Sequence, residues 1–215
     1  MDYNQKSNVY YENYRPEMQQ FFPETAKTML DVGCGEGAMA LQLKEKFGIE
    51  AWGIEFMKEE GKRAEEKLNK VIIETVENAV DQLPDDYFDV IYFNDVLEHL
   101  SNPDLVLKRM KQKLTKNGII ISSIPNVRYH SVFKQYIFKK DWKYEKAGVM
   151  DFTHLRFFTS KSIRRMFEES GYKIIRHHGI NRTSSLMPYF YNLLLLCTAR
   201  DMFYVQFATV VKKEK

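Results

Sequence analysis

A chain of 215 residues with 28% charged and 14% aromatic residues, and only 10 Gly and 6 Pro, has the composition of one globular domain with a full core, which excludes disordered and low-complexity classes. Lys+Arg at 32 against Asp+Glu at 29 leaves a net charge of +3, too mild to point to nucleic acid. Two cysteines, Cys34 and Cys197, are too few for a disulfide framework or a four-ligand zinc site; with the polar start MDYNQKSN and no apolar run near the roughly 20 residues that span a bilayer, the expectation is a cytoplasmic protein without membrane insertion.

Residues 1–25, rich in Tyr, Asn and Gln and broken by Pro16 and Pro23, predict a helical cap outside the main sheet. An alternating pattern begins at Lys27. TMLDV is an apolar run ending at glycines, AMALQLKEKF has helical spacing, EAWGIEF reads as a second strand and KEEGKRAEEKL as a charged helix. KVIIETV gives a third strand and FDVIYF a fourth, almost without polar interruption, as strands buried on both faces require. LVLKRMKQKL is a helix with Pro103 near its start, and Asn117-Gly118 turns the chain into a fifth strand, GIIISSI, which Pro125 ends. Residues 126–158 break the rhythm with an aromatic and basic insert. SKSIRRMFEES then predicts a helix capped by Ser160, GYKIIRHHG a sixth strand, and FYVQFATVV a last strand, antiparallel because so little chain precedes it. The fold class is α/β: a doubly wound sheet of seven strands, mostly parallel, in a single domain over 1–215.

The turn LDVGCGEG lies at the carboxyl end of the first strand, where open α/β sheets bind ligands, and its glycines let backbone N–H groups approach the ligand without a Cβ in the way. Glu55 ends the second strand, about 20 positions on, where a carboxylate accepts from both hydroxyls of a ribose. Asp31 stands at the rim of the glycine turn. It would repel a pyrophosphate but suits a ligand carrying an ammonium, which weighs against a nicotinamide dinucleotide, as does the G-x-G-x-G spacing.

LDVGCGEG, GIEF, FDVIYFNDVLEHL and GIIISSIPN, in this order over residues 27–125, resemble the class I S-adenosylmethionine-dependent methyltransferases. The resemblance implies a Rossmann-like fold with S-adenosyl-L-methionine as cofactor and S-adenosyl-L-homocysteine as its product. It also implies that Asp31, Gly33, Cys34 and Gly35 line the methionine portion, that Glu55 holds the ribose with Phe56 beside the adenine, and that Asn94 and Asp95 face the methionine moiety and the methyl. At the usual acidic position after the third strand this chain has Thr75, with Glu77 two residues on. Gly37 reads better as a packing glycine, and Cys34 as a small residue whose backbone matters.

Methyl transfer from a sulfonium requires alignment and exclusion of water, and a hydroxyl acceptor also benefits from a base. His177 and His178 on the sixth strand read as structural; His99, His130 and His154 fall after strand ends or in the insert. His154 is preferred as base over His130, with Asp95 and His99 as further catalytic candidates. Glu98 and His99 are open to a capping or an acceptor-side role. Asp151, His154 and Arg156, set among phenylalanines, are open between a salt-bridged loop and an acid, a base and an anion-binding group. The D-x-T-H-x-R-F-F-T segment resembles a subgroup of these methyltransferases linked with sugar and glycan modification, which implies a small-molecule acceptor methylated on oxygen. The rival readings are a nicotinamide-dependent oxidoreductase or epimerase and a non-catalytic S-adenosylmethionine-binding protein. No metal-ligand spacing stands out, so no metal is expected. The chain is expected to be a monomer or homodimer, and the aromatics near Tyr136, Phe138 and Trp142 leave open a lid, a dimer surface or an acceptor wall.

Overall fold

The computed structural model describes residues 14–214. The first thirteen residues of the expected cap, polar start included, lie outside the described residues. The rest of the cap holds one short helix, α1 (Pro16–Gln19), which with the following Phe21 and Phe22 buries Met18 and two aromatic rings. Seven strands follow: β1 (Thr28–Val32), β2 (Glu50–Glu55), β3 (Lys70–Ile73), β4 (Phe88–Asn94), β5 (Leu114–Pro125), β6 (Tyr172–Arg182) and β7 (Tyr204–Lys213). They form a single sheet in the order β3-β2-β1-β4-β5-β7-β6. Pairings among β1 to β5 are parallel, while β7 runs antiparallel to both β5 and β6, which is the sheet the sequence predicts.

Helices cover both faces. On one side α1, α2 (Ala38–Phe47) and α3 (Lys58–Glu65) pack Met18, Met39, Leu43 and Ala64 against Val90 and Tyr92 of β4. On the other, α4 (Val76–Ala79), α5 (Pro103–Lys113) and α7 (Ser160–Glu169) pack Val76, Leu107, Met110 and Phe167 against Phe88, Ile91 and Phe93. Side chains of a strand alternate between faces, so a run without polar interruption is what two covered faces demand. The strand order reverses between β1 and β4, and it is there, at the carboxyl ends, that such sheets open a crevice.

Of the boundaries that differ from expectation, four have a clear local reason. The third strand stops at Ile73 because the Glu74 carboxylate accepts from the Thr75 amide (2.8 Å) and Asn78 Nδ2 (3.3 Å), turning the chain into α4. The charged helix stops at Glu65, where the amides of Lys67 and Leu68 both return to the Ala64 carbonyl. The fifth strand starts at Leu114 rather than after a turn at Asn117-Gly118: pairing jumps from Phe88 with Leu114 to Val90 with Ile119, so residues 115–118 bulge out. A Cβ on Gly118 would stand 2.7 Å from the Phe88 carbonyl, so only glycine fits that bulge. The cap of α7 is Thr159, one residue before Ser160, in a reciprocal box with Ser162 (Ser162 amide to Thr159 Oγ1, 3.2 Å; Thr159 amide to Ser162 Oγ, 2.9 Å).

The 126–158 segment leaves the sheet at Asn126, whose amide donates to Val205 and whose Nδ2 donates to the Asp201 and Tyr204 carbonyls, and returns where Val127 pairs with Phe158. It carries α6 (His130–Phe133), a wider turn over Lys134–Phe138, and a loop bridged at Glu145 and Asp151. α8 (Met187–Leu194) lies beside it, with Tyr191 against Phe133 and Phe138.

Candidate active site

The glycine turn after β1 is closed by its neighbour strand. The amides of Gly33 and Cys34 both donate to the Ile54 carbonyl (2.8 and 3.1 Å), and Gly35 donates to Glu55 Oε2 (2.8 Å). The amide donors expected to meet a ligand are thus committed within the protein, and the turn offers instead a bare glycine surface beside two carboxylates. Gly33 has φ +71°, and a Cβ there would lie 2.7 Å from Val96 Cγ2. Gly33→Ala is therefore expected to cost about 1–3 kcal/mol from left-handed backbone strain and the clash, read as a lowered unfolding midpoint. Gly37 faces Leu68 and Ala64, the packing role expected of it. The Cys34 thiol lies against the Gly35 carbonyl (3.6 Å) and would be 2.6 Å from a Cβ on Gly53, and burial, then the Asp31 and Glu55 charges, push its ionisation well up, which opposes thiolate chemistry.

A cleft of about 310 Å³ opens over these strand ends. Every residue expected to bind the cofactor lines it: Asp31, Gly33, Cys34, Gly35, Glu55, Phe56, Glu77, Asn94 and Asp95. Asp31 and Glu55 are both 4% exposed. Burial first, and the Glu55 charge second, push the Asp31 carboxyl up to about 7, against a lowering by Arg15. Burial also raises Glu55, offset by the amides of Met57 and Gly35 that its two oxygens accept (2.9 and 2.8 Å). Two buried carboxylates side by side are costly in isolation and suit a site that receives a cation. Asn94 directs Nδ2 at Met39 Sδ (3.3 Å), leaving Oδ1 buried without a protein partner among the described residues.

Sequence reasoning missed Arg15. It lines the cleft, pairs with Asp95 and donates to Ser123 Oγ (2.7 Å), while Gln206 Nε2 donates to Asp95 from β7 (2.5 Å). Asp95 itself holds a left-handed φ of +55° at the end of β4. Nothing local marks an arginine in a polar leader as part of a site built 80 residues away. Glu74, Met57 and Val96 also line the cleft unannounced.

The three catalytic candidates are placed differently. Asp95 and His99 line the cleft; His154 stands behind, 8% exposed, its ring 4.8 Å from that of His99 and its Nε2 3.9 Å from Glu98 Oε1. His99 donates from Nδ1 to the Thr153 carbonyl (3.1 Å), so the turn Leu97–His99 after β4 is tied to the insert. Of the insert's other polar groups, Asp151 accepts from the amide and hydroxyl of Thr153, and Arg156 donates to the Ser101 carbonyl, which is loop fastening. His130 contacts Thr183 Oγ1 (3.4 Å), away from the cleft, and burial with Lys134 lowers its pKa. His177 lies between Ser160 and Thr209 hydroxyls, pushed down to about 4 by burial, Arg164 and His178, a structural group as expected.

A family described as "Methyltransferase domain" matches residues 6–177. Phosphoethanolamine N-methyltransferase of Plasmodium falciparum is 26% identical over 59% of this chain and 50% of its own length. A ubiquinone biosynthesis O-methyltransferase of Hydrogenovibrio crunogenus is 24% identical over 80% of this chain and 73% of its own length. The chain spans half or less of the length of most curated relatives it matches. A solved S-adenosylmethionine-dependent methyltransferase from Archaeoglobus fulgidus shares the fold, with a TM-score of 0.74 and 20% identity over 99% of this chain and 100% of that one.

Proposed function

We propose, from the premise that this chain belongs to the methyltransferase-domain family, that it moves a methyl group from S-adenosylmethionine to an oxygen of a small-molecule acceptor, a sugar or related metabolite. The observation that carries this reading is the pair of buried carboxylates, Asp31 and Glu55, at adjacent strand ends facing one cleft. Asp31 would receive the ammonium of the methionine tail and Glu55 the ribose diol, with Phe56 against the adenine and Glu77 near its edge. Asn94 and Asp95 would face the methionine moiety. Bound there, the cofactor supplies an electrophilic methyl on a sulfonium. The chain's own task is to hold donor and acceptor in line and to keep water out.

His99 lines the same cleft as Asp95, and a hydroxyl acceptor must lose a proton there. With the Thr153 carbonyl fixing the proton on Nδ1, His99 presents Nε2 as the accepting atom, and His154 positions it from behind. His99→Ala is expected to lower turnover on an oxygen acceptor by about 10²–10⁴-fold while leaving S-adenosylmethionine affinity within a few fold, measured by radiolabel transfer beside calorimetry. Relatives named for both nitrogen and oxygen methylation make amines the second reading, so amines belong in the same panel as free and nucleotide-linked sugars.

Calorimetry with S-adenosylmethionine and S-adenosylhomocysteine tests the cofactor half; absence of binding at millimolar ligand would sink it. Binding of NADH instead would favour the oxidoreductase reading, and cofactor binding with no turnover on any acceptor a non-catalytic one. Among the described residues no helix is long and apolar enough to cross a membrane. A cytoplasmic monomer or homodimer is part of the proposal.

A further inference from the structure

We infer that Glu98, His99 and His154 form a binding site for a divalent transition cation of the zinc or ferrous type at the acceptor end of the cleft. This deepens the reading above and rests on its placement of the acceptor beside His99. The three side chains come from two segments far apart in sequence, and their ligand atoms lie within 4.8 Å of one another. The segments are locked together by backbone: the amides of Leu155 and Arg156 donate to the Glu98 carbonyl (2.9 and 3.0 Å).

The orientation of the rings is the decisive feature. His99 Nδ1 lies 3.1 Å from the Thr153 carbonyl and His154 Nδ1 3.0 Å from the Val149 carbonyl. A carbonyl only accepts, so both rings carry a proton on Nδ1, and in the neutral ring Nε2 is the lone-pair nitrogen. A histidine whose second nitrogen is fixed by a backbone carbonyl is the usual arrangement around a bound metal. His154 Nε2 faces Glu98 Oε1 at 3.9 Å, and Glu98 is 1% exposed, so two imidazoles and a buried carboxylate bring one ligand atom each to within 4.8 Å of the others.

Two imidazoles and one carboxylate suit zinc or ferrous iron; magnesium and calcium prefer oxygen throughout. Tetrahedral binding at about 2.0–2.2 Å sets ligand atoms roughly 3.3 Å apart, so a pair at the full 4.8 Å must draw in by about 1.5 Å through side-chain torsions. Three protein ligands leave a coordination position open, and His99, one of the three, lines the cleft. An acceptor hydroxyl bound there would give up its proton to water at a lower pH than when free. The oxygen lone pair then forms the O–C bond as the C–S bond breaks, and the sulfonium leaves as a neutral thioether. The proton step assigned above to His99 is then performed by the ion that His99 and His154 hold.

The test is titration of the chelator-stripped full chain with Zn²⁺ by calorimetry and with Co²⁺ by absorption. One equivalent is expected to bind, with a visible Co²⁺ band and no near-ultraviolet thiolate charge transfer, which separates this site from Cys34 and Cys197. His99→Gln and His154→Gln are each expected to weaken binding by at least about tenfold; His99 lies at the cleft surface, so its variant decides if His154→Gln does not fold. No binding at millimolar cation, or equal binding by both folded variants, would overturn the site and leave a protonated Glu98–His154 pair in its place. S-adenosylmethionine affinity of the stripped chain is expected to be unchanged, so failure of the metal site and failure of the cofactor reading show in separate measurements.

Discussion

Replacing Asp31 by Asn is expected to weaken S-adenosylmethionine binding by about 2–5 kcal/mol, the cost of removing one partner from a buried charge pair, and to abolish the pH dependence of what binding remains. In the free protein the Asp31 carboxyl titrates at about 7, raised by burial and by Glu55. An ammonium-bearing ligand binds the carboxylate form, so binding below pH 7 must first remove a proton. Wild-type affinity is then expected to be about tenfold lower at pH 6 than at pH 8 by linkage. Folding stability has the opposite sign. The folded state holds this proton more tightly than the unfolded chain, whose reference value is 3.8, so Asp31 erodes stability as pH rises from about 4 to about 7, by at most roughly 4 kcal/mol. The ligand-free Asp31→Asn protein is therefore expected to unfold at a higher temperature than wild type at pH 8 while binding S-adenosylmethionine more weakly. A general packing defect would lower both, and wild-type affinity in the variant would sink the ammonium contact.

The parts of the fold legible in sequence are those where one local signal decides. FDVIYF is apolar on both faces because helices cover both faces, and AMALQLKEKF holds one helix between two left-handed glycines, Gly37 and Gly48. Errors arose where a local rule met a tertiary partner. Asn117-Gly118 is a strong turn signal, yet Leu114 pairs with Phe88 before it, and the dipeptide becomes a bulge inside one strand. Ser160 looks like a cap, but the box with Ser162 is completed by Thr159.

The site divides in the same way. Residues at strand ends next to the glycine turn were predictable because a parallel sheet puts consecutive strand ends on one edge. Donor directions were not: the turn amides look available in sequence and are bound to Ile54 and Glu55 in the fold. The pairing of Glu98 and His99 with His154 depends on where the insert returns, which periodicity does not encode. Hence the absence of sequence-local metal spacing carried little information about a cluster of ligand types assembled from two segments far apart in the chain.

Arg15 is expected to control both the acidity of Asp31 and the anchoring of the leader, and Arg15→Met separates the two. Its guanidinium, 14% exposed, is shared between Asp95 and Ser123 and lowers the Asp31 pKa through space. Methionine keeps most of the stem and removes the charge. Asp95 then retains Ser123 Oγ (3.2 Å) and Gln206 Nε2 (2.5 Å) but loses its counter-charge, at a cost of roughly 1–3 kcal/mol, less than for a fully buried pair because its side chain is 15% exposed. Without Arg15 the Asp31 carboxyl rises above 7, so the pH at which S-adenosylmethionine binding is half-maximal moves alkaline; the fold loss of affinity is greatest below pH 7 and narrows as pH rises past the shifted midpoint. Adding Asp95→Asn, which a left-handed backbone tolerates, restores part of the stability by removing the stranded charge. It leaves the alkaline shift in place, because the effect of Arg15 on Asp31 acts directly between the two groups. Thermal unfolding and calorimetry across pH on both variants check this. A binding profile that stays at the wild-type midpoint in Arg15→Met would show that Asp31 does not titrate with the cofactor, whatever happens to stability.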